Sequence, residues 1–487
     1  MTKDVQNMRN NKGLLREDTK GLVRSIECIF EIAILSVLYY AVWREGYHEG
    51  GTFPNYFFNG KYVLMGVYAL LLFLFFKNSD CFKFGQLKGM DIVAGQWISI
   101  LMVNFITYFQ LCLIANHMIT PMPVLVLTVI DGIVALLLTG AYTKLYHRLY
   151  APHNMILIYG TDAAVGIKIK MDTRRDKYRI DRLISVEEGY DRICEEVVKY
   201  DAVILNDVSA EIRNDILKFC YGNRIRVYVA PKITDILLRG GKNVSLFDTP
   251  LLLVKGSGLS LTQKIVKRAF DVVLSLLATI ISSPVMLLVA IAIKLEDGGP
   301  VFYKQKRLTL NGREFEILKF RSMVVDAEKE TGAVLATEND PRITRVGRFI
   351  RASRLDELPQ VLNILVGDMS IVGPRPDRKR FVDEFCEELP EFAYRLKVKS
   401  GLTGYAQIYG KYNTSAYDKL RLDLMYIENY SLMLDIRLII LTIRILFSKK
   451  STEGIDVAQE NERLTDELLR EIRSGEQDRH SGIGHGL

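Results

Sequence analysis

Histidine is missing from most of this 487-residue chain. The six histidines are His48, His117, His147, His153, His480 and His485, so none lies between residues 154 and 479. A serine or cysteine nucleophile activated by histidine is therefore not expected in that region. Nucleophilic or acid–base chemistry within these limits must come from carboxylates.

The sequence also lacks the patterns of a zinc site or disulfide framework, of a nucleotide-binding loop and of a cleaved signal peptide. The six cysteines show no C-x-x-C spacing, which argues against a zinc site or a disulfide framework and predicts reduced thiols. No Walker A motif is present, and Gly160 and Gly166 are too sparse for a dinucleotide fingerprint. The first apolar run has no small-residue cleavage site after it, so we expect no cleaved signal peptide. The net charge of +7 is modest, and no nucleic acid is expected as a partner.

Apolar residues are gathered in blocks, since the chain is 49% hydrophobic although 25% of its residues are charged. Spanning a membrane takes about 20 apolar residues, and four N-terminal segments reach or approach that length: 26–43, 62–76, 92–114 and 121–142. Basic residues fill the leader (residues 1–25), the loop after the second segment and the stretch after the fourth. The positive-inside rule therefore predicts that the N-terminus and the chain after residue 142 are cytoplasmic. Glu31 and Asp131 lie inside these runs, where each either faces a neighbouring helix or marks a functional site.

The composition becomes that of a water-soluble domain from residue 151. Apolar runs at 154–160, 201–207 and 226–231 alternate with helical patterns, one of them at 209–221. This alternation predicts a small, Rossmann-like α/β domain with a parallel sheet, over residues 151–250. A structural or regulatory role is preferred to nucleotide binding, because the glycine pattern is weak.

A fifth apolar run, 272–293, differs from the first four. Ser282, Ser283 and Pro284 stand in its middle, where proline removes a backbone hydrogen bond and a serine can satisfy the freed carbonyl. Lysines and arginines flank both of its ends, as at Lys267 and Lys294. If both basic ends are cytoplasmic, the segment must enter the membrane and turn back. We therefore expect a re-entrant helix over residues 264–295 rather than a fifth span.

The stretch 353–376 carries the strongest candidate for chemistry. Asp356 and Glu357 are adjacent, Arg351 precedes them, and Arg375 stands between two prolines that stiffen the backbone. Guanidinium groups bind phosphate oxygens in forked hydrogen bonds, and one carboxylate can attack or bind a metal while its neighbour moves a proton. The alternative is an ordinary ion-pair network at the start of a helix. Arginines at every third position from 342 to 354 also predict a basic stripe on a helix, suited either to anionic headgroups or to solvent.

Six motifs in order resemble those of the bacterial monotopic phosphoglycosyl transferases, which start exopolysaccharide, capsule or O-antigen synthesis. The resemblance covers residues 263–447, and the four preceding apolar segments and α/β domain are similar to the large, multidomain branch of that family. The motifs are KRAFD (267–271), Ser283-Pro284, GPVFYKQKR (299–307), KFRSM (319–323), DELPQ (356–360) and GDMSIVGPRP (367–376). Ser400 stands where the family usually has proline, which affects only the expected shape of the local turn.

The resemblance implies substrates, a nucleophile and a cofactor. The substrates would be a UDP-sugar and a polyprenyl phosphate, expected to be undecaprenyl phosphate. Asp356 would attack the β-phosphorus to form a phosphosugar-aspartyl intermediate with release of UMP, and Glu357 would assist proton handling. Mg²⁺ would offset phosphate charge with Asp356 as a ligand. Arg351 and Arg375 match positions near the phosphates, with Lys319 and Arg321 as weaker candidates for the same role. UDP-glucose or UDP-galactose is the expected donor.

We therefore predict a multidomain membrane protein of α+β class. Its parts are the leader, a four-helix transmembrane bundle (26–150), the α/β domain, a linker (251–263), the re-entrant helix, a mainly α catalytic domain (296–448) and a polar tail (449–487). The expected location is the bacterial inner membrane with the water-soluble domains in the cytoplasm, in contact with inner-membrane lipids and compatible with a homo-oligomer. The alternative is a membrane scaffold or regulator of polysaccharide assembly. A nucleotide-sugar dehydratase is disfavoured, because its Tyr-x-x-x-Lys spacing occurs only at Tyr228 and Lys232, interrupted by Pro231.

Overall fold

The computed structural model describes residues 3–48, 60–161, 166–246, 248–256, 258–325, 340–410 and 414–446, together with residues 463, 467 and 470. The polar tail that we delimited at 449–487 lies outside the described residues apart from those last three. The chain divides into two compact units, one ending at Pro231 and one beginning at Lys232. Each unit is described by itself below.

The first unit begins with four long helices at the predicted apolar segments. They are α1 (Lys3–Trp43), α2 (Gly60–Asn78), α3 (Gly89–Ala115) and α4 (Met122–Leu149). By length and composition, five helices among the described residues could cross a membrane. They are these four, the first of them over residues 19–48, and the helix Leu261–Asp297 of the second unit. Helix α1 also takes in most of the leader, a segment to which we assigned no secondary structure.

Glu31 and Asp131 are fully buried between these helices. The Gln96 side-chain amide on α3 donates a hydrogen bond of 2.6 Å to Glu31 on α1. The Tyr68 hydroxyl on α2 donates one of 2.8 Å to Asp131 on α4. Both acids thus join neighbouring helices, which is the structural alternative that we left open for them.

A four-stranded parallel sheet follows in the first unit, as the alternation of apolar runs and helical patterns predicts. Its strand order is β2-β1-β3-β4, and the two central strands are the most apolar, with most of their residues buried. Strand β2 was not predicted, because its charged residues interrupt the apolar run. Such residues suit its position at the edge of the sheet. The elements are β1 (His153–Tyr159), α5 (Gly166–Asp172), β2 (Tyr178–Ser185), α6 (Tyr190–Val197), β3 (Ala202–Asn206), α7 (Ala210–Gly222) and β4 (Arg226–Val229).

The second unit is mainly helical with three small two-stranded sheets. Its elements are α8 (Ile233–Arg239), β5 (Lys242–Leu246), β6 (Thr249–Leu253), α9 (Leu261–Asp297), β7 (Phe302–Leu308), β8 (Glu314–Phe320), α10 (Arg345–Ala352), α11 (Gln360–Val366), β9 (Ser370–Val372), α12 (Lys379–Glu388), β10 (Gly401–Thr403), α13 (Tyr405–Tyr409), α14 (Ala416–Glu428) and α15 (Leu432–Leu446). We ended the α/β domain at residue 250, but the units divide earlier. The reason is that Ile233 and Ile236 of α8 pack in one core with Leu420 and Leu424 of α14.

Helix α9 is continuous across Pro284. A capping box between Ser260 and Gln263 starts it, and Gly298, with φ of 69°, ends it. Proline at 284 leaves the Ile280 carbonyl without its helical donor, and the Ser283 hydroxyl donates to that carbonyl at 2.9 Å, as the sequence predicts. Only 11% of the most apolar window of α9 is buried by protein, so its middle needs another apolar surrounding.

Candidate active site

The adjacent acids Asp356 and Glu357 stand on a short helical turn between α10 and α11. Leu355 and Leu358 on either side of them pack into a small core with Val289 of α9 and Phe320 of β8. The turn starts at Arg354, whose φ of 55° lies in the left-handed region and redirects the chain after α10. Burial of the flanking leucines therefore fixes the orientation of the acidic pair.

Glu357 lies between two cations. Its Oε1 accepts a hydrogen bond of 2.7 Å from Lys319 Nζ and lies 3.4 Å from Arg375 Nη2. Although burial opposes ionisation, the charges of Arg375 and Lys319 lower the pKa of Glu357 to about 2. Glu357 is therefore an anion at neutral pH and holds both cations in place.

Asp356 has a different environment, although it is the next residue. Among the described residues it forms no ion pair, whereas Glu357 forms two. Burial raises the pKa of Asp356 above its usual value; the charge of Glu357 acts in the same direction, and those of Lys319 and Arg351 act against it. A carboxylate that is not held by a cation and has a raised pKa is the better nucleophile of the two.

The arginine series is shorter as a helical stripe than we predicted. Helix α10 starts at Arg345, because Thr344 caps it by accepting a hydrogen bond from Gly347 N, and it ends at Ala352. Arg342 therefore precedes the helix and pairs with Asp340, while Arg354 follows it. The helix itself carries Arg345, Arg348 and Arg351, and Arg351 is the one whose charge acts on Asp356.

Arg375 projects from a loop whose backbone is held along its whole length. All four carbonyls of residues 374–377 accept hydrogen bonds. The donors, in order from residue 374, are Gly401 N (2.9 Å), Arg395 Nη2 (3.0 Å), Arg307 Nη1 (3.4 Å) and Leu308 N (3.0 Å). The Arg375 side chain is 46% exposed, so it extends from a fixed backbone toward Glu357 and solvent.

Strands β9 and β10 meet so closely beside this loop that side chains would collide. A Cβ on Gly401 would lie 2.1 Å from Gly373 N, and one on Gly404 would lie 2.1 Å from Gly373 O. Gly373, Gly401 and Gly404 are thus needed because two backbone segments pass each other here at close range. Ser400, in place of the usual proline, donates its hydroxyl to the Leu308 carbonyl at 2.8 Å and so ties the same crossing to β7.

Arg321 lies apart from the acidic pair in its contacts. Its guanidinium pairs with Asp297 at the end of α9 through both terminal nitrogens and donates through Nε to the Pro300 carbonyl at 2.7 Å. These contacts hold the end of α9, whereas Lys319, two residues earlier, contacts Glu357. A phosphate-binding role for Arg321 stays a prediction.

The donor set fits a divalent cation only together with a substrate. Among the described residues no group of three or more histidines, cysteines or carboxylates could hold a metal. Mg²⁺ binds through one or two carboxylates with phosphate oxygens and water completing its shell. Asp356 is the carboxylate of the pair that forms no ion pair among the described residues, so it fits the role of Mg²⁺ ligand, which stays a prediction.

Sequence reasoning missed the residues that support the Arg375 loop. The buried Arg395 lies 18 positions from Asp377 and 28 from Asp423, and it contacts both. Arg307 falls within a motif that we quoted, yet nothing in that motif shows that its guanidinium reaches the Pro376 carbonyl. The available signal was an arginine directly between apolar residues in the stretch FAYRLKV (392–398).

Comparison with known proteins places this geometry in a family. The family model described as bacterial sugar transferase matches residues 262–449. Over 263 residues the chain is 40% identical to the UDP-N-acetylgalactosamine-undecaprenyl-phosphate N-acetylgalactosaminephosphotransferase of Aeromonas hydrophila, covering 52% of this chain and 60% of that protein. Over 211 residues it is 41% identical to the UDP-glucose:undecaprenyl-phosphate glucose-1-phosphate transferase of Escherichia coli, covering 42% and 44%. These matches therefore span about half of each relative.

A third relative is similar along nearly the whole chain. The chain is 30% identical over 471 residues to the galactosyl transferase CpsE of Streptococcus agalactiae, which covers 92% of this chain and 95% of that protein. The similarity thus includes the four N-terminal helices and the α/β domain as well as the segment with the acidic pair. On these matches and on the site geometry, the chain belongs to the bacterial sugar transferase family.

Proposed function

We propose that this protein transfers a sugar 1-phosphate from a UDP-sugar to undecaprenyl phosphate, with release of UMP, and so initiates synthesis of a bacterial polysaccharide. The observation that carries the proposal is the asymmetry of the acidic pair. Asp356 is half-buried and free of ion pairs among the described residues, while Glu357 is held by Lys319 and Arg375. The names of the relatives support the substrate classes.

In the first half-reaction, an Asp356 carboxylate oxygen attacks the phosphorus that carries the sugar. The bond from that phosphorus to the oxygen bridging the two phosphates breaks, and UMP leaves with that oxygen. The phosphosugar is then bonded to Asp356. Lys319, Arg351 and Arg375 supply positive charge where the diphosphate must lie, which is the main contribution that a protein makes to phosphoryl transfer.

In the second half-reaction, a phosphate oxygen of undecaprenyl phosphate attacks the same phosphorus. The bond to Asp356 breaks, the carboxylate is restored, and the product is the diphosphate-linked sugar lipid. A phosphate monoester retains a proton with a pKa of about 6. Glu357 would take up that proton once substrate phosphates engage Arg375 and Lys319, because these two cations are what lowers its pKa to about 2. Mg²⁺, held by Asp356 and phosphate oxygens, would offset the charge of the diphosphate when bound.

We also propose that α9 enters and leaves the membrane on one side. Arg268 near its start donates to the carbonyls of Ile364 and Leu365 at 2.6 and 2.7 Å. Its end is anchored by the pair between Asp297 and Arg321.

The partners of the two ends of α9 are close together. The Leu318 N–H donates to Asn363 Oδ1 at 2.9 Å, and Arg321 is three residues from Leu318, or about 10 Å along an extended chain. A helix that crossed the membrane would instead separate its ends by a hydrocarbon layer of about 30 Å. Both ends, and with them the acidic pair, would therefore lie on one side of the membrane, and the lysines and arginines that flank α9 favour the cytoplasmic side, where UDP-sugars are found. Single cysteines in place of Lys264 and Lys294 test this: labelling of the two from opposite faces of the inner membrane would refute re-entry.

The central experiment measures UMP release by the purified full-length protein with Mg²⁺, undecaprenyl phosphate and a panel of UDP-sugars. UDP-glucose, UDP-galactose and UDP-N-acetylgalactosamine belong in the panel. We expect release with at least one of them, and we expect Asp356→Asn to abolish it. The wild type incubated with the UDP-sugar alone should gain the mass of a phosphosugar on the peptide containing Asp356.

Two results would contradict the proposal in different ways. Full turnover by Asp356→Asn would refute the assignment of the nucleophile. No UMP release by the wild type with any sugar of the panel would favour a scaffold or regulator of polysaccharide assembly.

A further inference from the structure

A buried ionic network of the second unit contacts the Arg375 loop. Arg395 is only 2% exposed and stands over the ring of Phe392, 4.9 Å from its centroid. Its guanidinium pairs with Asp377 and, at 2.9 Å, with Asp423. Lys419 lies 2.7 Å from the same oxygen of Asp377, so two cations face two carboxylates. The charges of this buried set are balanced, although Arg395 Nε and the two Asp423 oxygens have no hydrogen bond of good geometry among the described residues.

One bond of Arg395 has nothing to do with charge balance. Its Nη2 donates to the carbonyl of Arg375 at 3.0 Å, while its other end nitrogen is paired with Asp377, two residues along the same loop. The planar guanidinium of Arg395 therefore binds the loop at the residues on both sides of Pro376. Lysine could keep the charge of this group but not both bonds, because its ammonium is a single centre.

Arg395 supplies the hydrogen bond at Arg375 itself, in addition to the bonds at the carbonyls of residues 374, 376 and 377. Pro374 and Pro376 have no N–H, so the backbone of this segment is held mainly through its carbonyls. The Arg375 carbonyl is the one nearest to the Arg375 side chain, and its donor is Arg395. The side chain beyond it reaches Glu357 at 3.4 Å. A rotation of the peptide after Arg375 would therefore move the guanidinium away from the acidic pair.

We propose that Arg395 is a positioning residue for the transferase reaction: it fixes the backbone of Arg375, so that the Arg375 guanidinium is presented to the diphosphate of the UDP-sugar beside Glu357. This proposal rests on the proposed function. It assigns Arg395 no contact with substrate. Its action is entirely through Arg375, and this separates it from a residue that only stabilises the fold.

A double-mutant cycle tests this dependence. The variants are Arg395→Lys, Arg375→Ala and the two combined, all as full-length protein, with UMP release at varied UDP-sugar and the thermal unfolding midpoint as readouts. Arg421→Lys is the matched control, since Arg421 pairs with Asp418 at 2.8 Å on the neighbouring helix face. We expect Arg395→Lys to lower kcat/KM about 10- to 100-fold, the effect of a misplaced binding group, and the control to keep it.

The combined variant gives the decisive comparison. If Arg395 acts through Arg375, the double variant is no slower than Arg375→Ala alone. Multiplied losses, or wild-type kcat/KM in Arg395→Lys, would overturn the proposal. Should Arg395→Lys fail to fold, Asp423→Asn replaces it in the same cycle, because it removes the charge that pairs with Arg395 on the side away from the loop. Multiplied losses, or wild-type kcat/KM in Asp423→Asn, would then overturn the proposal.

A second measurement does not depend on turnover. Amide hydrogen exchange of the peptide 370–380 should be about tenfold faster in Arg395→Lys than in Arg421→Lys, while the other peptides of residues 232–446 exchange alike. Unchanged exchange in 370–380 would overturn the proposal even if no UDP-sugar were turned over. If the wild type released no UMP, the proposed function would be refuted, while faster exchange of 370–380 in Arg395→Lys would still support the contact of Arg395 with the Arg375 loop.

Discussion

Lys319 and Glu357 are 38 residues apart in sequence, and their side chains meet at 2.7 Å. Lys319 is the penultimate residue of β8, and Phe320 beside it packs into the same core as Leu355 and Leu358. The position of the lysine is therefore set by the same apolar contacts that set the acidic turn. Its charge acts on both carboxylates, lowering the pKa of each against the effect of burial.

Lys319→Met should move the acidic limb of the pH–activity profile to higher pH. Asp356 must be ionised to attack, and activity falls as the pH drops through its pKa, which burial already raises. Because Lys319 opposes that rise, its removal raises the pKa of Asp356 further and the activity is lost earlier on acidification. The measurement is kcat/KM for UMP release between about pH 4 and 8.

The control for this prediction is Lys304→Met. Lys304 is 61% exposed on the neighbouring strand β7 and pairs with Glu316 at 3.2 Å, so it shares the β-hairpin and the charge change. Its acidic limb should match that of the wild type. An unshifted limb in Lys319→Met would show that Lys319 does not influence the attacking group.

Arg321→Lys should destabilise the protein without changing KM for the UDP-sugar. The guanidinium binds Asp297 through two nitrogens and Pro300 through a third, and lysine cannot reproduce this fork. Asp297 is partly exposed, so the expected loss is about 1–2 kcal/mol in the free energy of unfolding. Thermal unfolding and substrate-dependent kinetics measure the two quantities separately.

Arg313→Lys provides the comparison, because Arg313 pairs with Asp368 at 2.7 Å but is 59% exposed. Its unfolding free energy should change by less than about 0.5 kcal/mol. A raised KM in Arg321→Lys at unchanged stability would instead support the phosphate-binding role that the sequence predicts for Arg321.

Tyr68→Phe should loosen the N-terminal helices. The Tyr68 hydroxyl donates to Asp131 and also lies 2.9 Å from Asn104, so three helices meet at this group. Hydrogen bonds between membrane helices contribute about 0.6 kcal/mol on average, with a maximum of about 1.7, and the upper part of that range is expected here. Tyr62→Phe on the same helix is the control, since Tyr62 is 61% exposed. Equal unfolding midpoints for the two variants would contradict this account of the buried acid.

Gly401→Ala should disturb the crossing of β9 and β10. The added Cβ would lie 2.1 Å from Gly373 N and 2.7 Å from Gly373 Cα, and backbone atoms cannot move aside as a side chain can. We expect a loss of about 1–3 kcal/mol in unfolding free energy, as for other overpacked sites, together with lower activity through the Arg375 loop. Gly256→Ala, with nothing within 4 Å of the added Cβ, should be within about 0.5 kcal/mol of the wild type. Wild-type stability in Gly401→Ala would refute the close approach.

Elements with a strong local signal could be predicted from the sequence. The four apolar segments became α1 to α4, and the runs at 154–160, 201–207 and 226–231 became parallel strands. The β7–β8 hairpin was missed, because charged residues alternate along it and conceal the apolar face that carries Phe315 and Ile317. Its turn contains Asn311 and Gly312 with φ of 57° and 74°, a pairing typical of tight turns.

The candidate site shows the same division. Asp356, Glu357 and Arg375 could be chosen because each lies in a short motif. Whether Lys319 or Arg321 faces the acids could not be predicted, since both lie in the segment KFRSM and residues two apart share one face of a continuous strand. They differ because β8 ends at Phe320, so Arg321 lies beyond the strand. Arg395 could not be assigned its partners at all, because buried ion pairs join residues distant in sequence and leave no periodic pattern.

Helix α9 is tied to one domain near both of its ends, by Arg268 at Ile364 and by Asp297 at Arg321. Each helical residue between those two contacts adds about 1.5 Å, so the number of residues fixes the length of this segment. If α9 enters and leaves the membrane on one side, as we propose, the number of residues between the ties sets the depth of its apolar middle and the height of the acidic pair above the acyl chains. Bilayers of different thickness would then have to adapt to the protein.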